Sequence, residues 1–266
     1  IESLAMPMLA EALTVEAVGD GPWATVAHPH QQSISGMFGG WTTAVALNAV
    51  CQASGAEKTP GALSINFVAM IEGGTTVELL PQRLGGGRSV EHWRIDLVDG
   101  TGTVSATANV ALVNRRQSDG HVHPDMPEPP DPNELETTHA PPPQGDQTMI
   151  RPVKGYPWFA RGDTASSHWV KDVSGRSVDH LQLAYFADQM PPRSFFWREG
   201  PHPSASLMMS VHFLATPDEL AAVGDDWVFV EVEGTRGADS TSGHHARLWR
   251  RDGVLLATTD QLALFR

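Results

Sequence analysis

Four stretches between residues 62 and 113 carry apolar side chains at the spacing of strands: 62–71, 75–84, 88–98 and 103–113. In the third, Trp93, Ile95 and Leu97 fall on one face and His92, Arg94 and Asp96 on the other. That period-2 alternation is the pattern of a half-buried strand. Ahead of these runs, GGWTTAVALNAVCQAS begins at Gly39 with small and apolar residues and has no breaker after its glycines. It predicts a buried helix. The same order then recurs. Residues 178–190 have helical spacing and stop at Pro191-Pro192, and further strands are predicted at 205–214, 226–234, 243–250 and 254–265.

The recurrence reaches the residues themselves. LSINF (63–67) matches MSVHF (209–213) at an offset of 146, and TVSATANVAL (103–112) matches LLATTDQLAL (255–264) at an offset of 152. Both last strands follow an Asp-Gly turn, at Asp99-Gly100 and Asp252-Gly253. Equal order and similar offset point to a duplicated unit, one helix followed by four antiparallel strands, the helix covering the apolar face of its sheet. Between the copies lies a stretch with nine prolines from Pro124 to Pro152. It reads as an extended connector with no packed core of its own. The expected division is therefore 1–114, a proline-rich linker 115–156, and 157–266.

Charge and composition narrow the function. Asp and Glu number 31 against 18 Lys and Arg, a net charge of −13. A general nucleic-acid binder needs a broad basic surface, so that class is excluded. The single cysteine, Cys51, leaves no internal disulfide and no cysteine-rich zinc cluster. No run approaches the roughly 18 apolar residues of a membrane span, and the N-terminal stretch lacks the basic region of a signal peptide. A cytoplasmic protein without a membrane partner is expected. There is no phosphate loop, dinucleotide fingerprint or nucleophile elbow. The 12 histidines show no metal-ligand spacing, so no metal and no cofactor are expected.

Three polar side chains stand in apolar surroundings. Asp188 falls in phase with Leu181 and Ala184 or Tyr185 on the predicted second helix. A carboxylate on that face would be a working acid or base; the other reading is a frayed last turn in solvent. Gln261 lies in the last predicted strand, where it or Asp260 must face the helix. The offset of 152 aligns it with Asn109. It can hold a water, or it can be a surface glutamine. Ser206 opens the strand ASLMMSVHF, and on its own it is a plain strand-start hydroxyl. The first copy has no carboxylate between Asp20 and Glu57. Its helix instead starts on Gly39-Gly40, whose bare N–H groups suit a carbonyl oxygen gaining charge, unless the glycines serve only a tight helix entry.

Taken in order, FGGWTTAVALNAV, LSINF, GGGRSVEHWRIDLVDG, AYFADQMPP, ASLMMSVHF and RRDGVLLATTDQLALFR resemble the acyl-CoA thioesterase II family, from about Gly36 to Arg266. The resemblance implies an α+β double hotdog, two helix-and-antiparallel-sheet units forming one pseudo-dimeric body. It implies hydrolysis of an acyl-CoA by water, with Asp188 as general base and Ser206 and Gln261 orienting that water. Gly39 and Gly40 would bind the thioester carbonyl. Arg88, with Arg94, Arg247, Arg250 and Arg251, would be candidates for the coenzyme's phosphates. The family commonly has threonine at the place of Ser206, Asp-His at Met208-Met209, and Gln-Glu-Gly at Gln261-Leu262-Ala263. A non-catalytic acyl-thioester binder and a hotdog hydratase or dehydratase are the rival readings. By analogy with such folds a homo-oligomer is expected.

Overall fold

The computed structural model describes residues 8–266 except Asp20, Ser35, Ala56, Trp158, Ala160 and Pro201. The N-terminal reading against a signal peptide rests partly on residues 1–7, outside the described residues. The first half runs through a one-turn helix α1 (Leu9–Ala12), strands β1 (Glu16–Ala17) and β2 (Trp23–Val26), and a small hairpin of β3 (Gln32–Ser33) and β4 (Gly36–Met37). Helix α2 (Gly39–Ala53) and strands β5 (Thr59–Phe67), β6 (Thr76–Gly86), β7 (Val90–Val98) and β8 (Val104–Val113) follow. The second half holds β9 (Thr148–Lys154), β10 (Ser166–Asp172), α3 (His180–Phe186), β11 (Ser204–Phe213), α4 (Pro217–Ala221), β12 (Val228–Ala238), β13 (Thr241–Arg250) and β14 (Leu255–Phe265).

Twelve strands form one antiparallel sheet in the order β1-β2-β6-β7-β8-β5-β11-β14-β13-β12-β10-β9. Read from either end, equivalent strands appear in equivalent places. The centre of this symmetry is the seam where β5 pairs with β11. There Leu63 faces Val211, Ile65 faces Met209, and Ser64 faces Ser210. The offset of 146 relating LSINF to MSVHF carries Ser64 onto Ser210, so the pseudo-two-fold axis passes through that pair. Ser210 Oγ donates to Ser64 Oγ at 3.0 Å on it. The α+β double hotdog is thus a pseudo-dimer within one chain.

Helix α2 is the structural centre. Every residue from Gly40 to Val50 except Asn48 is buried, as expected of a helix with no polar face. Two of its polar side chains tie it to the N-terminal segment: Trp41 Nε1 donates to the Ala12 carbonyl at 2.7 Å, and Asn48 Nδ2 to that of Leu13 at 2.8 Å.

Four sequence expectations are corrected. The second helix is shorter than 178–190. Asp179 caps its start, its carboxylate accepting from the Gln182 N–H at 2.9 Å. The helix ends at Phe186 with Ala187 as its cap, because from Asp188 on the amides bond back by three residues or fewer, Gln189 to Phe186 and Met190 to Asp188. Asp188 therefore sits in the turn beyond the helix. The first strand of the first copy starts and ends earlier than 62–71, because the amides of Val68 and Ala69 both turn to the Ser105 carbonyl. Gln261 is matched by Val110, not Asn109: Gln261 pairs with Met209 and Val110 with Leu63. Asn109 is exposed, as is Asp260. The offset of 152 is one residue out of register here, and one residue flips every side chain of a strand to the other face.

The proline-rich stretch is the fourth. It has packing of its own. Met126 and Leu135 cover an aromatic cluster of Trp169, Trp227, Phe229 and Trp249 on the outer side of the sheet, and Trp169 Nε1 donates to the Pro130 carbonyl at 3.0 Å. Its last residues form β9, the sheet edge. Strands β9 and β10, missed from sequence, complete the symmetry with β1 and β2.

Candidate active site

Helices α2 and α3 pack side by side, which brings the turn after α3 against the first residues of α2. Two glycines permit this approach. A Cβ on Gly40 would lie 2.4 Å from the Tyr185 carbonyl oxygen, and a Cβ on Gly39 would lie 2.6 Å from Asp188 Oδ2. The carboxylate of Asp188 occupies the space that a side chain at Gly39 would fill. The Gly40 N–H, one of the helix-start donors without an intrahelical acceptor, donates to Asp188 Oδ2 at 3.0 Å.

The other carboxylate oxygen meets the sheet. Gln261 Nε2 donates to Asp188 Oδ1 at 2.7 Å and to Ser206 Oγ at 2.7 Å. Both hydrogens of the amide are then committed, leaving its carbonyl oxygen as an acceptor. Ser206 accepts with its oxygen, so its own proton is free to be given. Ser206 owes its aim to a bulge: the register of β11 on β14 shifts between Ser206 and Met208. In a regular strand Leu207 would face inward with Met209. The extra residue turns Ser206 inward instead.

Loss of hydration pushes the Asp188 carboxyl up to about 6, against the pull of the bonds from Gln261 and Gly40. The group is an anion at neutral pH yet a far stronger base than a free aspartate. Asp188, Ser206 and Gln261 open onto a cavity of about 790 Å³, within the usual size range of small-molecule sites. Its walls are largely apolar, among them Ile34, Met37, Phe67, Met70, Ile150 and Phe195, and the linker closes one side with His139, Ala140, Pro141 and Pro142.

The structure thus brings Asp188, Ser206, Gln261, Gly39 and Gly40 together. It does not bring the surface arginines there. Arg88 is exposed in the turn between β6 and β7. Arg94 pairs with Asp96, Arg247 with Glu231, Arg250 with Asp252, and Arg251 with Asp131 and Asp226. None of the five lines the cavity; the arginine that does is Arg193, which sequence reasoning missed, together with His168 and His244. Its only signal was a position just past Pro191-Pro192. A buried hydrogen-bond chain also escaped it: Tyr185 donates to Gln31 at 2.8 Å, Gln144 to Tyr185 at 3.2 Å and to Gln189 at 2.8 Å, and Gln189 to Thr148 at 2.9 Å. It ties the linker to the residue next to Asp188.

With this geometry in view, the comparisons with known proteins decide the family. A model of the acyl-CoA thioesterase C-terminal domain matches residues 121–265, and one of the N-terminal domain matches residues 21–113. The chain belongs to the acyl-CoA thioesterase family. No curated protein sequence matches it. Among solved structures, this thioesterase-family chain resembles a hot dog fold protein of unknown function from Alicyclobacillus acidocaldarius. That match has a TM-score of 0.91 at 26% identity, covering 96% of this chain and 97% of that one. The tesB protein of Mycobacterium avium subs paratuberculosis matches with a TM-score of 0.79 at 21% identity over 97% and 98%. The acyl-CoA thioesterase II TesB2 of Mycobacterium marinum matches with 0.77 at 17% over 97% and 98%. These last two share the fold. Among the described residues of this family member no helix is long and apolar enough to cross a membrane.

Proposed function

We propose that the chain hydrolyses an acyl-CoA thioester to the free acid and coenzyme A by direct attack of water, with Asp188 as the general base. The observation that carries the reading is the amide of Gln261 bridging Asp188 Oδ1 and Ser206 Oγ, 2.7 Å from each, at the wall of an apolar cavity. A water among these three groups has an acceptor in Asp188 and in the Gln261 carbonyl, and its lone pair is left for the thioester carbon. Asp188 takes the proton as the carbon–oxygen bond forms, a contribution of about 10²–10⁴-fold. The carbonyl oxygen, gaining charge, meets the Gly39 N–H at the positive end of α2 and the free proton of Ser206, donors of the kind worth about 3–4 kcal/mol. Collapse breaks the carbon–sulfur bond, and the proton on Asp188 passes to the departing thiolate.

Gly40 has a different task from the one its sequence position suggests. Its N–H is held by Asp188 and orients the base rather than the substrate. The test is thiol release from acyl-CoA esters of graded chain length. Release by the parent protein and its loss in Asp188→Ala is the expected result. Unchanged release in Asp188→Ala refutes the assignment of the base. Tight calorimetric binding with no release at any chain length replaces the enzyme by a binding protein.

A further inference from the structure

One wall of the cavity is not apolar. Arg193, His168 and His244 line it, with exposures of 1%, 5% and 4%. The Arg193 guanidinium is threaded into the backbone: Nε and Nη2 donate to the Pro191 carbonyl at 3.1 and 2.7 Å, and Nη1 to the Thr164 carbonyl at 3.0 Å and Ser166 Oγ at 2.8 Å. Four of its five N–H donors are used, and among the described residues no carboxylate pairs with it. Buried cations are normally matched by an anion or a full set of acceptors. One Nη2 hydrogen here has neither.

The two histidines carry the opposite need. The Nε2 atoms of His168 and His244 are buried without a hydrogen-bond partner. His168 bonds through its other ring nitrogen to the Gln189 backbone, so in the neutral ring that nitrogen holds the hydrogen and Nε2 presents a lone pair. Burial, then the charge of Arg193, keeps both rings uncharged, pushing His168 down to about 4 and His244 to about 3. An unmade bond at such a group costs what a ligand can recover. The wall therefore offers a donor at Arg193 and an acceptor at His168, and a carboxylate, which only accepts, would satisfy the arginine and oppose the histidine lone pair. A hydroxyl satisfies both. The wall also adjoins the reacting centre, because His244 on β13 pairs directly with Gln261 on β14 and directly opposed side chains share a face.

Resting on the hydrolase reading above, we propose that Arg193, His168 and His244 form a subsite for a hydroxyl carried by the acyl group, so that the preferred substrates are hydroxyacyl thioesters. The alkyl remainder lies on the apolar walls.

The test measures kcat/KM by thiol release for three acyl-CoA esters of one chain length: unsubstituted, hydroxyl-bearing near the thioester, and carboxylate-terminated. The parent protein is expected to favour the hydroxyl ester over the unsubstituted one by about tenfold or more, since a site built to bond a hydroxyl discriminates against its absence. In His168→Leu and His244→Leu that ratio is expected to fall toward one. The ratio is read within each variant, with circular dichroism checking the fold. The parent panel is decisive even where a variant does not fold. A parent ratio of one, a preference for the carboxylate ester, or a hydroxyl preference surviving in both folded variants overturns the subsite. No thiol release from any ester overturns the hydrolase reading instead. The hydroxyl preference is then read as the ratio of calorimetric Kd values for the same three esters, and equal values overturn the subsite too.

Discussion

Asp188 is held between opposed effects, and its working range follows from their sum. Removal from water raises its pKa, the Gln261 and Gly40 bonds lower it, and the result is about 6. The base form dominates only above that pH. The kcat/KM for thiol release should fall about tenfold per pH unit below pH 6 and level off above it. The stability consequence has the opposite sense. The folded pKa lies above the unfolded value of about 3.9, so the folded protein holds this proton more tightly. The associated stability is fully present below about pH 4 and is lost as pH rises through 6. Asp188→Asn should therefore raise the unfolding free energy at pH 7, read from urea denaturation, by about 1–2 kcal/mol, while kcat drops about 10²–10⁴-fold. A variant that is inactive and less stable would contradict this. Asp188 was legible from its phase with the apolar positions of the second helix and Gln261 as one of two polar residues in an apolar strand, whereas Ser206 on its own was a plain strand-start hydroxyl that only the family resemblance singled out. Arg193, His168 and His244 were not: Arg193 and His168 sit in loop-like and unassigned sequence, and His244 gains meaning only beside Gln261, across a strand pair.

The glycines at the start of α2 act at the level of elements, and they are separable. A Cβ at Gly39 meets a side-chain oxygen, which can move; a Cβ at Gly40 meets the Tyr185 carbonyl in the last turn of α3, which cannot move without parting the two helices. Gly39→Ala should lose activity, at least tenfold in kcat, with a small change in melting temperature. Gly40→Ala should destabilise by about 1–3 kcal/mol, the usual cost of overpacking. Equal effects on melting would refute the distinction. Pattern found α2, α3 and eight strands because their apolar residues fall at helical or strand spacing; the one-turn helices α1 and α4 were too short to show one. It overran α3, since the residues of the turn through Asp188 keep helical spacing after the helical bonds have stopped. It could not see β9, whose Thr148–Lys154 carries Pro152 and Arg151, nor the bulge that aims Ser206, because an inserted residue leaves no mark on composition.

At the scale of the molecule the seam between β5 and β11 joins the halves into one sheet. Ser64 and Ser210, on its axis, are only partly buried, so charges can be placed there. Ser64→Glu with Ser210→Lys should stay closer to the parent's stability than the two single variants predict by addition. Ser64→Glu with Ser210→Glu should be worse than additive, since opposed like charges on paired strands repel by about 0.2–1 kcal/mol. Urea unfolding of the parent, the three single variants and the two double variants measures both coupling terms, and strict additivity in both would place the two serines out of contact. The duplication was legible at this scale from two short matches. Its register was not, because matched sequence at the wrong phase by one residue aligned Gln261 with exposed Asn109.

The axis through Ser64 and Ser210 has a further consequence. In a dimer of identical chains, every residue at one helix start stands at the other as well, and a change that suits one site is imposed on its twin. A single chain lifts that constraint. Here Gly39 makes room for a carboxylate that its own helix lacks, and Asp188 extends toward a helix start that belongs to the other half. Each copy has specialised in what the other no longer supplies, so inheritance of one without the other would carry half a site.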